Sequence, residues 1–264
     1  MFDYSKEGTG MIDIHNHLLH GLDDGPSTIE ESIQMCRAGS RDGIRTIVAS
    51  PHTLNGVYQN DRLKIQDKLR ELNDALVPFS MKGNGLKKNS QEMQIDILPG
   101  ADVYLCEKTL QQMDRGELMT IGDRGRFLLL EFPSQGIPHG TENVLAQLIK
   151  RGVTPIISHP ERNLEIGLRP QRYFGMIRMG CLGQVTAMSL TGGFGPGPKR
   201  AAKKLLEKGV LHFIASDAHS MNGRPPVLSS AVIEAGKIIG KERARKMVTE
   251  YPQAILEGVR PKLH

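Results

Sequence analysis

The sequence predicts an α/β fold in which parallel strands alternate with helices and close into a barrel. Three observations carry this prediction. A glycine-centred phrase recurs three times, each copy passing from a helix into a short apolar strand. Strand–helix alternation repeats about seven times along the 264 residues. Histidine or aspartate follows strand after strand, and the C-terminal ends of barrel strands are where functional side chains converge.

The phrase reads Arg41-Asp-Gly-Ile-Arg-Thr-Ile-Val-Ala-Ser50, then Arg151-Gly-Val-Thr-Pro-Ile-Ile-Ser158, then Lys208-Gly-Val-Leu-His-Phe-Ile-Ala-Ser216. Glycine tolerates positive φ and so stops a helix. The strands that follow are apolar without alternation, as in a parallel sheet covered on both faces. Strands also fit residues 12–14, 95–98, 127–130 and 182–185.

Helices fill the intervals. Ser27-Thr-Ile-Glu30 has capping-box form, with Ser27 as N-cap and Glu30 three residues on, opening a helix to about residue 42. Ile65, Leu69, Leu72 and Leu76 form an apolar stripe at helical spacing. Further helices fit 141–150, 170–179, 199–208, 228–239 and 242–249. The polar stretch 80–94 reads as a loop, since the same alternation resumes after it. Residues 191–198 (TGGFGPGP) read as a second loop, open to movement, without the Gly-Lys-Ser/Thr of a phosphate-cradling P-loop. The whole of 1–264 is expected to be one domain.

Composition narrows the class. Hydrophobic residues make up 39% and charged residues 24%, the balance of a soluble globular chain. No apolar run approaches the ~18 residues a membrane span needs, and residues 1–10 lack a signal peptide's apolar core. A cytoplasmic protein, not inserted in a membrane, is expected. The net charge of +5 comes from scattered Lys and Arg, which attracts phosphorylated or acidic substrates. Trp is absent and aromatics are only 5%, so no platform for stacking nucleic-acid bases is expected. Cys36, Cys106 and Cys181 have neither metal-site nor disulfide spacing and read as reduced thiols.

The strand ends carry metal-binding chemistry. Asp13-Ile-His-Asn-His17 places His15 and His17 on the same side of an extended strand. The three repeated strands end in Ser50-Pro-His52, Ser158-His-Pro-Glu-Arg162 and Ser216-Asp-Ala-His219. Asp102 and Glu131 also follow apolar strands, and Asp24 lies in the turn Gly21-Leu-Asp-Asp-Gly25. Each feature has a plain alternative: a packed His pair, a salt-bridged strand end, or turn chemistry at Asp23 and Asp24. Convergence outweighs these, because His15, His17, His52, His159 and His219 all sit just after predicted strands. His20, His139, His212 and His264 fall outside the pattern, and His212 opens a strand at the opposite barrel end.

The nine candidates are His15, His17, Asp24, His52, Asp102, Glu131, His159, Asp217 and His219, too many for one ion. Two or three divalent ions fit, and mixed nitrogen and oxygen donors suit Mn, Zn or Fe(II) better than Mg or Ca.

These motifs in this order resemble the PHP superfamily: Asp13-x-His-x-His17, Asp-Asp-Gly25, Ala-Ser-Pro-His52, Ile-Ser-His-Pro-Glu-Arg162 and Ala-Ser-Asp-Ala-His219. Within it, order, spacing and length are similar to the bacterial capsule/exopolysaccharide-type tyrosine-protein phosphatases, over residues 11–258. The resemblance implies a distorted TIM-like (β/α)7 barrel of the PHP type. It implies three metal ions, often manganese. His15, His17 and Asp217 would hold one, Glu131 and His159 a second, and Asp24, His52 and His219 a third. Asp102 falls where that family usually has a bridging Glu, one methylene longer. Arg162 and Arg224 match its phosphate-binding arginines, as a guanidinium fork suits phosphate oxygens. Asp13 would orient a ligating imidazole through its other ring nitrogen.

The implied activity is direct hydrolysis of a phosphotyrosine ester by metal-activated water, on a partner such as the tail of a bacterial tyrosine kinase. A cysteine-dependent route is not supported, since no cysteine here has an arginine six residues on. Histidinol-phosphate phosphatase or another phosphoesterase of the superfamily is the closest alternative, and a non-catalytic phosphotyrosine-binding module a more distant one. Lys199, Arg200, Lys203 and Lys204 read as a solvated helix face that could rim a substrate site.

Overall fold

The computed structural model describes residues 10–80 and 93–263. Residues 1–9, most of the polar stretch 80–94 and His264 lie outside the described residues. Nine strand segments are seen among them: β1 (Met11–Asn16), β2 (Ile44–Ala49), β3 (His52–Thr53), β4 (Asp96–Pro99), β5 (Asp102–Tyr104), β6 (Phe127–Glu131), β7 (Thr154–Ser158), β8 (Leu182–Thr186) and β9 (Phe213–Ala215). Every ladder between them is parallel.

β2 and β3 are halves of one strand broken at Ser50-Pro51, and β4 and β5 are halves of another broken at Gly100-Ala101. The nine segments therefore run as seven strands, in a distorted α/β barrel. Hydrogen bonding divides them into a β1-β2-β4 sheet and a β3-β5-β6-β7-β8-β9 sheet. Pro51 and Pro99 cannot donate to a ladder, which explains where the break falls. Pairing resumes with the Asp102 N–H on the Pro51 oxygen at 3.1 Å. Gly100 permits the close approach there, since a Cβ would lie 2.5 Å from Val48 Cγ1.

The ring does not close by a regular ladder. The chain just beyond β9 meets β1 at a single bridge, Asn16 with Ala218. Beside it His17 N–H donates to the Ala218 oxygen and Asp217 N–H to the His15 oxygen, each at 2.8 Å. Asp13 stitches this seam. Its carboxylate accepts from Ser216 N–H at 2.9 Å, Ser216 Oγ at 2.5 Å and Asn16 Nδ2 at 3.0 Å. This corrects the expected role of Asp13, whose oxygens serve the strand ends and not an imidazole ring.

The helices are α1 (Ile29–Asp42), α2 (Arg62–Ser80), α3 (Thr109–Asp114), α4 (Thr141–Lys150), α5 (Leu164–Leu168), α6 (Gln171–Met179), α7 (Ala187–Thr191), α8 (Pro196–Glu207), α9 (Ser229–Ile239), α10 (Lys241–Lys246) and α11 (Glu250–Leu256). The capping box of α1 sits one residue later than expected. Thr28 is the N-cap, its side chain accepting from Glu31 N–H, while Glu31 Oε2 accepts from Thr28 N–H and, at 2.7 Å, from Ser27 N–H. α8 begins three residues before its expected start, inside the glycine–proline stretch. Pro196 occupies its first turn, where a missing N–H costs nothing. α3, α5, α7 and α11 are too short to show an apolar period, and the sequence did not announce them.

The glycines of the repeated phrase end their helices as expected. Gly43, Gly152 and Gly209 have φ of 97°, 79° and 70°. One apolar core runs from Met11 to Leu256. Cys36 and Cys181 are buried in it, and all three cysteines are free. No helix among the described residues is long and apolar enough to cross a membrane.

The barrel end opposite the strand C-termini is sealed around Gly183. A Cβ there would sit 2.0 Å from Tyr173 Oη, which donates to the Val210 oxygen at 2.8 Å. His212 pairs with the same glycine. It donates its N–H to the Gly183 oxygen at 2.8 Å and accepts the Gly183 N–H on Nδ1 at 2.9 Å. Burial, then the charges of Arg260 and Arg243, push the His212 imidazole down from 6.5 to about 4.

The unfolded chain therefore binds a proton at His212 between these values and the folded chain does not, so stability falls as pH drops from about 6.5 towards 4. His212→Asn keeps an acceptor for the Gly183 N–H without the titration. Urea unfolding at pH 7 and 4.5 should show the variant losing about 2–3 kcal/mol less than the parent between the two. Equal losses would contradict this account of His212.

Candidate metal centre

All nine candidate ligands stand at the C-terminal end of the barrel. β1 delivers His15 and, one residue past its end, His17; β3 delivers His52, β5 Asp102, β6 Glu131, and the turns after β7 and β9 deliver His159, Asp217 and His219. Asp24 comes from the turn after β1. His15, His17 and Asp102 are fully buried.

The nine form one connected cluster. His15 Nε2 lies 3.1 Å from His17 Nε2, 3.6 Å from Asp102 and 3.5 Å from Asp217. His52 lies 3.4 Å from Asp102, 3.5 Å from Glu131 and 3.6 Å from Asp24. His159 Nε2 is 3.6 Å from Glu131, and His219 Nε2 is 3.4 Å from Asp24. Seven of the nine offer ligand atoms in three groups, each within 4.8 Å: His17, Asp24, His52 and His219; His15, His17 and Asp102; His52, Asp102 and Glu131. His159 and Asp217 stand outside these groups and join the cluster through Glu131 and through His15 and His17.

The donor atoms are poorly served by the protein itself. His52 Nδ1, Asp102 Oδ2 and His219 Nε2 are buried and make no hydrogen bond. Buried polar atoms are rarely left so, because each forfeits its hydration. Aimed at one another from several strands, these atoms fit cations held by nitrogen and oxygen donors. Among the described residues no thiol joins the three groups, so a thiolate-based structural zinc site is not what has been built.

Electrostatics point the same way. Burial and the neighbouring charge of Asp102 push the Glu131 carboxyl up to about 7. Burial alone would depress His17, yet the carboxylate of Asp23 raises it to about 10. Burial and the charge of Arg162 hold His159 well below its usual range. Burial opposes ionisation of Asp217, but His15, His17, His159 and Arg224 hold it well below the carboxylate range.

Residues that sequence reasoning missed orient the ligands. Asp23 Oδ2 lies 2.6 Å from His17 Nδ1 and accepts His52 N–H at 2.9 Å, while Oδ1 accepts Gly25 N–H at 3.0 Å. Turn chemistry explains only the last of these. Gln184 Oε1 meets His15 Nδ1 at 2.9 Å, and a polar residue within a fully buried strand was the available signal. Glu161, from the His-Pro-Glu-Arg phrase, is buried. Its Oε1 accepts from Thr186 N–H at 3.1 Å and Ser189 Oγ at 2.7 Å, bracing the turn that carries His159 and Arg162. His159 and Asp217 hold φ of 32° and 51°, strained for residues with a Cβ.

Arg162 and Arg224 meet at the edge of the cluster. Their Nη1 atoms donate to Asp217 Oδ2 at 2.5 and 2.8 Å. Both guanidiniums are partly exposed, so their remaining donors face the opening. His20 is placed elsewhere, between Lys68 and Glu71.

The model of the family "Capsular polysaccharide synthesis, CpsB/CapC" matches residues 11–257. The chain is 34% identical over 248 residues to the tyrosine-protein phosphatase YwqE of Bacillus subtilis, covering 94% of this chain and 92% of that protein. It is 36% identical over 220 residues to the putative tyrosine-protein phosphatase CapC of Staphylococcus aureus, covering 83% and 80%. Among solved structures, a chain from those of YwqE of Bacillus subtilis and CpsB of Streptococcus pneumoniae superimposes with a TM-score of 0.87 at 32% identity, covering 96% and 97%. Both proteins are described as metal-dependent tyrosine phosphatases. The phosphotriesterase homology protein of Escherichia coli shares the fold, with a TM-score of 0.57 at 13% identity over 96% of this chain and 99% of that one.

Removing an orienting carboxylate typically costs 10- to 100-fold in metal affinity. Asp23→Asn should therefore weaken divalent-ion binding by about 10- to 100-fold while the protein stays folded. Calorimetric titration of stripped protein with Mn or Zn, beside circular dichroism, checks this. Unchanged affinity would remove Asp23 from the centre.

Proposed function

The chain belongs to the CpsB/CapC family of capsular polysaccharide synthesis, and from that premise we propose that it is a metal-dependent tyrosine-protein phosphatase. One observation carries the reading: nine nitrogen and oxygen donors and two arginines converge on one barrel end, with Asp217 touching both sets.

His15, His17 and Asp217 would hold one ion, Glu131 and His159 a second, and Asp24, His52 and His219 a third. Asp102 belongs to two of the three donor groups, which supports a bridging place despite its shorter side chain. The mixed donor set favours manganese, with zinc or iron(II) as alternatives. When bound, such ions supply Lewis acidity and bring the pKa of water towards ~7.

The chain's own residues do the rest. Arg162 and Arg224 bind the phosphoryl oxygens with the donors they do not give to Asp217, whose Oδ2 holds both forks in place. Their charge offsets the negative charge that grows on those oxygens as water adds to phosphorus. The phosphorus–oxygen ester bond breaks, giving inorganic phosphate and a tyrosine hydroxyl. Asp23 and Gln184 keep the His17 and His15 rings in register throughout. The substrate we infer is a phosphotyrosine protein, the tail of a bacterial tyrosine kinase of polysaccharide synthesis, met in the cytoplasm by this chain acting as one domain. The exposed Lys199, Arg200, Lys203 and Lys204 of α8 offer such an acidic tail a basic flank.

The test is phosphate release from a phosphotyrosine peptide, a phosphoserine peptide and histidinol phosphate by stripped enzyme reloaded with Mn or Zn. Release from the phosphotyrosine peptide, reduced about 100- to 1,000-fold in Arg162→Ala, is expected. Release from histidinol phosphate alone would move the protein to another phosphatase activity. Phosphopeptide binding without turnover would make it a recognition module.

A further inference from the structure

Two aromatic side chains pack on the site, one on its arginines and one on His52, and neither has a part in the phosphate chemistry above. Phe194 lies in the turn between α7 and α8. Its ring centroid is 4.8 Å from the Arg162 guanidinium carbon and 6.0 Å from that of Arg224. The glycine–proline loop, expected to be open to movement, is instead a tied turn. Gly192 and Gly193 N–H both donate to the Met188 oxygen, at 3.0 and 2.8 Å, and Gly195 N–H to the Gly192 oxygen at 2.9 Å. Gly192 and Gly195 take φ of 97° and 86°, which only glycine adopts without strain. A Cβ at Gly193 would sit 2.5 Å from Met188 Cε. All this backbone specialisation surrounds one half-exposed phenyl ring.

Tyr58 occupies the side of His52. Its ring lies within 8° of parallel to the His52 imidazole, with centroids 6.2 Å apart. Burial and the carboxylates of Asp24 and Asp23 raise its phenol. Its loop is tied as well. Asn55 Oδ1 accepts the N–H groups of Val57 and Tyr58 at 3.0 and 2.7 Å. Asn60 Nδ2 donates to the Leu22 and His52 oxygens at 2.8 Å each. Tyr58 is likewise half-exposed.

We propose that Phe194 and Tyr58 are specificity-determining residues that receive the aryl group of the substrate, so that the site selects phosphotyrosine over alkyl phosphates. The inference deepens the phosphatase reading and rests on it. A phosphoryl group held by Arg162 and Arg224 directs its ester substituent out of the cluster, past the ring that packs on those guanidiniums. A tyrosine places a flat ring there, and aromatic rings attract one another in offset or edge-on contact at centroid separations of about 4.5–7 Å. A phosphoserine has only a methylene at that point and gains nothing from either ring.

Phe194→Leu and Tyr58→Leu keep apolar bulk and remove the aromatic face. In Mn-loaded protein, each should weaken phenylphosphonate binding about three- to tenfold. The kcat/KM for a phosphotyrosine peptide should fall by a similar factor, while inhibition by inorganic phosphate stays constant. Equal weakening of phenylphosphonate and phosphate would overturn the proposal, because the rings would then act only through Arg162 and Arg224. No weakening of either would overturn it as well. A parent protein that prefers phenylphosphonate to phosphate through these rings, yet turns over no phosphotyrosine peptide, would uphold aryl recognition and sink the phosphatase reading instead.

Discussion

Asp217 is the side chain on which the rest of the site depends. Its Oδ1 faces His15, His17 and His219 at 3.4–3.6 Å, and its Oδ2 takes the two guanidiniums. One carboxylate thus belongs to the histidine cluster on one side and to the two guanidinium forks on the other. It sits at a strained backbone position two residues beyond β9, beside the single bridge between Asn16 of β1 and Ala218. The seam in the barrel and the join between the two halves of the site are the same place. That explains why Asp13 and Ser216 are spent on holding the strand ends together.

The distortions of the barrel follow from the same requirement. A regular ladder would place strand-end side chains in layers pointing alternately in and out. Here β2 and β4 are each interrupted just before they deliver His52 and Asp102. The prolines and Gly100 at those breaks let the second halves re-aim. Asp102 then reaches both His15 and His52.

Much of this was legible in the sequence because it was periodic or repeated. The glycine-stopped phrase located three helix–strand junctions, and the recurring His and Asp located one end of a barrel. What could not be read depended on contacts across the sheet. Asp23 looks like turn chemistry because sequence spacing does not show that its carboxylate also meets the nearby His17 ring and the distant His52 N–H. Gln184 reaches His15 across 169 residues. Asp13 was assigned to an imidazole because local spacing could not show that Ser216, far along the chain, would claim it. The Thr28 cap was misplaced by one residue because Ser27 and Thr28 are each followed, three residues on, by a glutamate.

The central claim is that the buried donors exist to hold cations. The most direct measurement is the metal content of protein purified at neutral pH without chelator, paired with its melting temperature before and after stripping. Two to three divalent ions per chain, a fall in melting temperature on stripping and its recovery with Mn or Zn are what the account predicts. Protein that is metal-free as purified, and melts at one temperature with or without added ions, would contradict it.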